Sequence, residues 1–153
     1  MAKNRRWIVP GLLVVAGLGA AAIYSEFWSG GTALGMDPGD AAKVALGRQV
    51  YEANCAFCHG AGLQGQANWR QRGANGRLPA PPHDATGHTW HHPDNQLFSL
   101  TKFGPAALAG GDYQSDMPGY EGQLSDAEIW AVLSYIKSRW PAQIRAQHDR
   151  MAR

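Results

Sequence analysis

The chain has 153 residues, which is enough for one domain with a modest core. Charged residues make up 17% of it and 19 residues are glycine, which excludes a disordered acidic chain and a coiled coil. Three of the 14 basic and one of the 12 acidic residues precede Ser29, which leaves 11 of each beyond that point and gives no reason to expect nucleic acid as a partner.

Residues 1–28 have the pattern of an export signal or a membrane anchor. Lys3, Arg5 and Arg6 precede the uncharged run WIVPGLLVVAGLGAAAIYS. A run of about 19 residues is at the lower limit for spanning a bilayer, and the basic residues before it should stay in the cytoplasm. The small residues 20–22 permit cleavage of a signal peptide, whereas aromatic residues near both ends of the run favour a retained transmembrane helix: Trp7, Tyr24, Phe27 and Trp28.

A glycine-rich stretch at residues 29–39 predicts a flexible tether to a domain at residues 40–140. Asp40 is a suitable cap for a first helix that ends near Asn54. Apolar and small residues recur at helical spacing on one face of this helix: Val44, Gly47, Val50 and Tyr51.

The segment YEANCAFCHG contains the two cysteines of the chain, Cys55 and Cys58, followed directly by His59. Two cysteines are too few for a disulfide-dense scaffold, and no alternation of strand and helix patterns favours a thioredoxin-like site. Cys-x-x-Cys-His is instead the attachment signature of c-type haem, in which the thiols bond to the vinyl groups and the imidazole ligates the iron. We therefore predict one covalent haem c. Because this haem is attached after export, the N-terminal pattern supports the same interpretation.

The rest of the chain predicts helices joined by long loops. Residues 60–82 and 105–122 lack helical periodicity, and Asp94 is a plausible cap for a short helix that ends at Gly104. Ser125 and Glu128 form a capping box before an apolar stripe: Ile129, Val132, Leu133, Ile136 and Trp140. Pro141 ends or kinks that helix, and residues 141–153 form a polar tail with helical character. Strand patterns and repeats are absent from the sequence, which predicts an all-α fold.

These motifs, in this order, resemble those of the class I cytochromes c, which are small electron carriers with a single haem. The resemblance spans residues 40–140 and rests on Gly47-x-x-x-Tyr51-x-x-x-Cys55-x-x-Cys58-His59, on Met117-Pro118-x-Tyr120 and on the last helix. It implies the class I cytochrome c fold, with three to five helices around one haem, here preceded by a transmembrane helix. It also implies that the first and last helices cross closely, and that the carbonyl of Pro79, Pro81 or Pro82 accepts a hydrogen bond from His59.

Met117 is the candidate sixth ligand of the iron. The other methionines lie in terminal or tether segments: Met1, Met36 and Met151. The resemblance implies that the Met117 thioether binds opposite His59, and a thioether ligand favours ferrous iron and raises the reduction potential. With both axial positions filled, we expect one-electron transfer and no enzymatic turnover. A haem sensor or haem enzyme with an open sixth position is a rival interpretation.

A histidine-rich loop allows further alternatives. It contains His83, His88, His91 and His92, and one of them could replace Met117 as a ligand, which would lower the potential. Together they could bind copper or zinc, in which case the chain would be a metal-handling protein. We favour a solvated loop whose histidines cap the next helix and pack beside Trp90, because no cysteine or spaced carboxylate completes a metal site. The loop arginines Arg70, Arg72 and Arg77 could bind the haem propionates or face a partner, and we interpret them as solvated charges.

The resemblance also implies partners and a location. A loop similar to LPAPPHDATGHTWHHPDNQLF is typical of some bacterial membrane-attached cytochromes c. We therefore expect the haem domain in the periplasm at the bacterial inner membrane. The expected partners are a quinol-oxidising complex and a terminal oxidase or other acceptor. The N-terminal helix is expected to insert into the lipid bilayer. Lysines are scarce in the exported domain, so the docking partners of the lysine-rich mitochondrial carriers are not transferred to this chain: Lys43, Lys102 and Lys137 are the three present.

Overall fold

The computed structural model describes residues 35–151. Along the chain its helices are α1 (Ala41–Asn54), α2 (Ala56–His59), a 3-10 helix (Thr89–His91), α3 (Asp94–Phe103), α4 (Pro105–Ala109), α5 (Asp126–Ser138) and α6 (Ala142–Met151). Residues 35–151 contain no strand, and the predicted all-α fold is confirmed. The described residues form six α-helices and one 3-10 helix, more than the three to five expected. The additional helices are the very short α2 and α4 and the tail helix α6.

The predicted signal peptide or transmembrane helix at residues 1–28 lies outside the described residues. Between residues 35 and 151, no helix is both long and apolar enough to cross a membrane. The end of the predicted tether is attached to the domain, since the Asp37 amide donates to Ser134 Oγ at 2.9 Å and Met36 packs against the core. The described part of the tether is therefore ordered against α5.

Helix α1 begins and ends where its sequence predicts. The Asp40 side chain accepts a hydrogen bond from the Lys43 amide, which satisfies one of the free N–H groups of the first turn. Gly47, Val50 and Tyr51 are buried, so the face that the sequence predicts is the one that packs.

The crossing of α1 and α5 forms the centre of the core. A Cβ atom at Gly47 would overlap the carbonyl of Ala131 and lie 2.9 Å from the Tyr135 Cβ. The absence of a side chain at Gly47 therefore allows the two backbones to approach this closely, as expected. Beside the crossing, the rings of Tyr51 and Tyr135 lie 5.5 Å apart. Fully buried apolar side chains of α5, such as Ile129, contribute about 1.5–3 kcal/mol each to this packing.

Helix α5 has the predicted capping box. The Ser125 side chain accepts from the Glu128 amide, and the Glu128 carboxylate accepts from the Ser125 amide at 2.8 Å. The helix ends at Ser138, yet Trp140 remains only 2% exposed and its indole N–H donates to the His83 carbonyl at 2.8 Å. Trp140 thus joins the end of α5 to the histidine-rich loop.

Two sequence predictions between α2 and α5 were wrong in detail. The cap of α3 is Pro93, without a side-chain hydrogen bond, and Asp94 is the first residue of the helix. The stretch expected to be a loop from residue 105 contains α4, which Pro105 begins because its fixed φ suits a first turn. The end of α3 at Gly104, with φ 82°, agrees with the prediction.

The polar tail folds as helix α6, and its inner face is formed by a histidine. His148 is completely buried, packs edge-on against the Trp140 ring at 5.0 Å, and places Nε2 3.0 Å from the His92 carbonyl. Because a carbonyl only accepts, Nε2 carries the proton and Nδ1 is left without a partner. Burial and the unpartnered Nδ1 therefore favour the neutral imidazole of His148, although the Asp94 carboxylate lies 3.5 Å from Nε2.

We expect the stability of the domain to fall as the pH decreases below about 6.5, the usual pKa of histidine. Burial lowers the pKa of His148, and Lys137 on α5 lowers it further, while Asp94, the His92 carbonyl and Asp149 oppose the shift. Since the unfolded chain binds a proton that folded His148 resists, its contribution is present above the unfolded pKa and is lost as the pH decreases below it.

The measurement is the free energy of unfolding at pH 7.5 and 5.5 for the wild type and His148→Gln. We expect the loss on acidification to be smaller in the variant, which cannot titrate at this position. Equal losses in the two proteins would show that His148 does not contribute to the pH dependence.

Candidate haem site

Cys55, together with the single turn of helix α2 that follows it, places the two cysteines and the histidine close together. Cys55 ends α1, with its amide bonded to the Tyr51 carbonyl, and also begins α2, with its carbonyl accepting from the His59 amide at 2.9 Å. Gly60, at φ 79°, ends the turn. The chain therefore presents the whole motif directly after the helix that crosses α5.

Both thiols are free and partly buried. Burial, with a smaller contribution from Cys58, raises the pKa of Cys55 to about 11. A thiol with so high a pKa is mostly protonated at neutral pH, whereas thiol–disulfide exchange requires a thiolate. This environment argues against a redox-active cysteine pair and leaves two thiols available for thioether bonds.

His59 is held in the orientation that an iron ligand requires. It is 5% exposed, and its Nδ1 lies 2.8 Å from the Pro81 carbonyl. The carbonyl can only accept, so Nδ1 carries the proton and Nε2 presents a lone pair. Burial lowers the pKa of His59 and thus keeps the ring in its neutral, ligating form, although the bond to Pro81 acts in the opposite direction. Of the three prolines considered, the structure identifies Pro81 as the partner.

A close approach between two loop segments brings Pro81 to the histidine. The Gly65 amide donates to the His59 carbonyl at 2.8 Å, and Gly65 has φ 68°. A Cβ atom at Gly65 would lie 2.6 Å from the Pro81 carbonyl carbon, so only glycine allows this contact without rearrangement. The loop after the motif therefore folds back and supplies the acceptor for His59.

Met117 lies in the loop before α5. This loop is attached to the C-terminal end of α1, which leads into the cysteine motif. It is partly buried, and its amide donates to Ser115 Oγ at 3.1 Å. Three residues later, the Tyr120 hydroxyl donates to the Asn54 carbonyl at 2.7 Å. Asn54 immediately precedes Cys55, so the Met117 loop and the cysteine motif are joined at one point of the fold.

The donor set fits a haem c. Cys55 and Cys58 supply two free thiols on one turn, and His59 supplies an Nε2 without a hydrogen bond to the protein. Met117 supplies a partly buried thioether from a loop attached beside them. These are the groups that covalent attachment and axial ligation by imidazole and thioether require.

The four histidines of the rival metal site point in different directions. His83 stacks on His59 at 3.9 Å, and its Nδ1 lies 2.8 Å from Thr89 Oγ1. The other rings pack elsewhere: His88 on Trp69 at 5.2 Å, His91 on Trp90 at 3.7 Å, and His92 edge-on to His88 at 5.3 Å. Across the described part of the chain, no three histidine, cysteine or carboxylate residues group so that they could hold a metal ion. The packing beside Trp90 agrees with the sequence prediction, but no side chain of this loop caps α3.

Comparison with known proteins identifies the family. The sequence model of the cytochrome c family matches residues 44–140, which is more than half of the chain. The chain belongs to the class I cytochrome c family. It is also similar to cytochrome c6 of Tetradesmus obliquus, with 32% identity over 100 residues that cover 62% of this chain and 89% of the relative. No solved structure matches the chain.

Membership of the family establishes the cofactor and the general function. This cytochrome carries a covalently attached haem c and is an electron carrier, not an enzyme. The all-α structure of residues 35–151 is consistent with the cytochrome c fold.

Sequence reasoning missed two contacts of the site in this cytochrome. The sequence contained a signal for the stacking of His83 on His59. His83 lies two residues after Pro81, whose carbonyl accepts a hydrogen bond from His59, so His83 must also lie near that ring. Arg77, interpreted as a solvated charge, forms an ion pair with Asp116, next to Met117. Their separation of 39 positions gave no local signal.

Proposed function

We propose that this cytochrome carries single electrons between membrane redox complexes on the periplasmic side of the bacterial inner membrane. The observation that carries the proposal is the joining of two candidate axial ligands at one end of α1. His59 is oriented by Pro81 at 2.8 Å, and the Met117 loop is attached to Asn54 by Tyr120 at 2.7 Å. Both candidate ligands are thus attached beside the end of α1 that leads into the cysteine motif.

Each residue of the site has a separate role in this proposal. Cys55 and Cys58 fix the haem through thioether bonds, so retention does not depend on affinity. His59 is the proximal ligand, and its hydrogen bond to Pro81 sets the tautomer and strengthens the ligand. Met117 would supply the second ligand to the iron. When bound, the haem would supply an iron that gains and loses one electron, and ligation by both His59 and Met117 would leave no coordination position open.

The packing of the loop histidines supports Met117 over a histidine as the sixth ligand. His83 lies against His59 itself, and His88 and His91 are stacked on tryptophan rings. His92 offers its backbone carbonyl to His148. A closed sixth position leaves no place for peroxide or a gas to bind, which favours an electron carrier over a sensor.

The proposed membrane attachment is supported by residues 1–28, where three basic residues precede an uncharged run. A retained helix there would confine the haem domain to the surface that carries its partners. Confinement raises the effective concentration of a carrier near its donor and acceptor without any new contact. A quinol-oxidising complex and a terminal oxidase are the partners proposed, with the lipid bilayer bound through the N-terminal helix.

We expect the full chain to sediment with membranes and to be released by detergent but not by salt. The control is a variant in which a cleavable signal peptide replaces residues 1–28, and this variant should be soluble in the periplasm. Recovery of the full chain in the soluble fraction, with a mature N-terminus near residue 23, would show that the segment is removed.

The same two forms test the proposed partners. Membranes that oxidise quinol should reduce the anchored form faster than the soluble form at equal haem content, by about tenfold or more. Equal rates would contradict the proposal that anchoring serves exchange with membrane complexes.

A further inference from the structure

One loop contacts the chain segments that carry both candidate ligands. We call residues 66–82 the bridging loop. Near its end, the Pro81 carbonyl accepts from His59. Four residues earlier, the Arg77 guanidinium forms an ion pair with Asp116, the residue before Met117. Arg77 Nε and Nη2 each lie 3.4 Å from the side-chain oxygen of Gln114, so the guanidinium contacts the Met117 loop at two residues.

The backbone around Arg77 is braced by a turn. The Gly73 amide donates to the Arg77 carbonyl at 2.9 Å, and the Arg77 amide donates to Asn75 Oδ1 at 3.0 Å. Arg72 Nη1 donates to the Gly76 carbonyl at 2.7 Å. Arg77 therefore extends its guanidinium from a fixed base, which reduces the entropy lost when it pairs with Asp116.

The Met117 loop is held firmly at its C-terminal end. The Tyr120 amide donates to the Thr101 carbonyl at 3.1 Å, and the Glu121 amide donates to the Lys102 carbonyl at 2.9 Å. Tyr120 itself is 8% exposed. Two backbone hydrogen bonds to the end of α3, with the hydroxyl contact to Asn54, fix this end.

The N-terminal end of the loop has much weaker support. Gly110 and Gly111 have φ 68° and 58°, and a Cβ atom at either would meet no atom within 4 Å. Residues 106–112 are exposed. Two arginines connect residues 113–116 to the bridging loop. Arg77 forms the ion pair with Asp116, and the Arg72 guanidinium lies 5.9 Å from the centre of the Tyr113 ring.

We propose that Arg77 is a positioning residue that keeps Met117 on the iron. This inference rests on the proposed ligation by Met117. Without the guanidinium, residues 110–116 can move away from the bridging loop while Tyr120 stays anchored, and the thioether then leaves the iron without unfolding of the domain. The side chains of the pair are 39% and 55% exposed, so its effect on overall stability is small, but it acts on the local equilibrium between bound and released Met117.

The test is the titration of the ferric protein with imidazole, which competes with Met117 for the iron. We expect Arg77→Gln to lower the apparent Kd for imidazole by about fivefold, as the loss of a partly exposed, charge-assisted contact predicts. Arg70→Gln is the matched control. It removes the same charge from the same loop, at a guanidinium that lies 4.0 Å over the Trp69 ring and does not bond the Met117 loop. Thermal midpoints measured alongside should differ little among the three proteins.

A charge exchange tests whether the effect of Arg77 comes from its pairing with Asp116. Arg77→Asp and Asp116→Arg should each bind imidazole more tightly than the wild type, and the double variant should return toward the wild-type Kd because the ion pair is restored in reverse. A role of Arg77 that does not depend on Asp116 would not give this recovery, and unchanged thermal midpoints would separate positioning of Met117 from loosening of the whole domain.

The outcomes distinguish the inference from the function on which it rests. If Arg77→Gln binds imidazole no more tightly than Arg70→Gln and the double variant shows no recovery, the positioning role is wrong, while Met117 remains the ligand. If the wild type itself lacks the weak red-edge band of methionine-ligated ferric haem, the proposed ligation is wrong and the positioning role is wrong with it.

Discussion

Gly47→Ala is expected to destabilise the domain by about 3 kcal/mol, even though alanine is the better helix former by about 1 kcal/mol. The added Cβ would overlap the Ala131 carbonyl on α5 and lie 2.9 Å from the Tyr135 Cβ. A backbone carbonyl cannot rotate away as a side chain can, so the two helices must separate. Because their contact forms the centre of the core, the separation would expose apolar area on both helices.

The measurement is the free energy of unfolding in denaturant, with Gly39→Ala as the matched control. Gly39 lies just before α1, and the nearest atom to its added Cβ is the Asp37 side-chain oxygen at 3.3 Å, which can shift. The control should change the free energy by less than about 1 kcal/mol. An equally small effect at Gly47 would contradict the close crossing of α1 and α5.

Met117→Ala is expected to change the haem more than any other single replacement outside the attachment motif. The loss of the thioether removes the ligand that favours ferrous iron, so the reduction potential should fall by on the order of 0.1 V, within the roughly 0.8 V range that axial ligands set. The sixth position also becomes open. The reduced variant should therefore bind carbon monoxide rapidly, whereas the wild type should not.

Potentiometry and stopped-flow mixing with carbon monoxide check these two effects. Met151→Ala is the control, since Met151 is an exposed methionine at the end of α6 and its loss should leave both quantities unchanged. Rapid binding of carbon monoxide by the wild type would favour a haem sensor or enzyme over an electron carrier.

Features fixed by local chemistry were predictable from the sequence. The capping box of Ser125 and Glu128, the cap at Asp40 and the end of α3 at Gly104 each depend on residues within a few positions of one another. The cysteine motif is similarly local, because its residues occupy one turn of helix. The close packing at Gly47 was inferred from the family resemblance, and the structure gives its physical reason.

Features that depend on contacts between distant residues were not predictable in the same way. The pairing of Arg77 with Asp116 joins residues 39 positions apart, and the burial of His148 depends on the His92 carbonyl 56 positions before it. A polar helix such as α6 gives no periodic signal for its inner face when that face is a histidine. Helix α4 was missed because five residues are too few to show a helical period.

The measurement that tests the central claim most directly is the optical spectrum of the matured protein in both oxidation states, recorded beside Met117→Ala. We predict the weak red-edge band of methionine-ligated ferric haem in the wild type and its loss in the variant, which would show that Met117 completes a closed, electron-carrying site opposite His59. A wild-type spectrum without that band, unchanged by the replacement, would contradict this account and assign the sixth position to a loop histidine or to an open site.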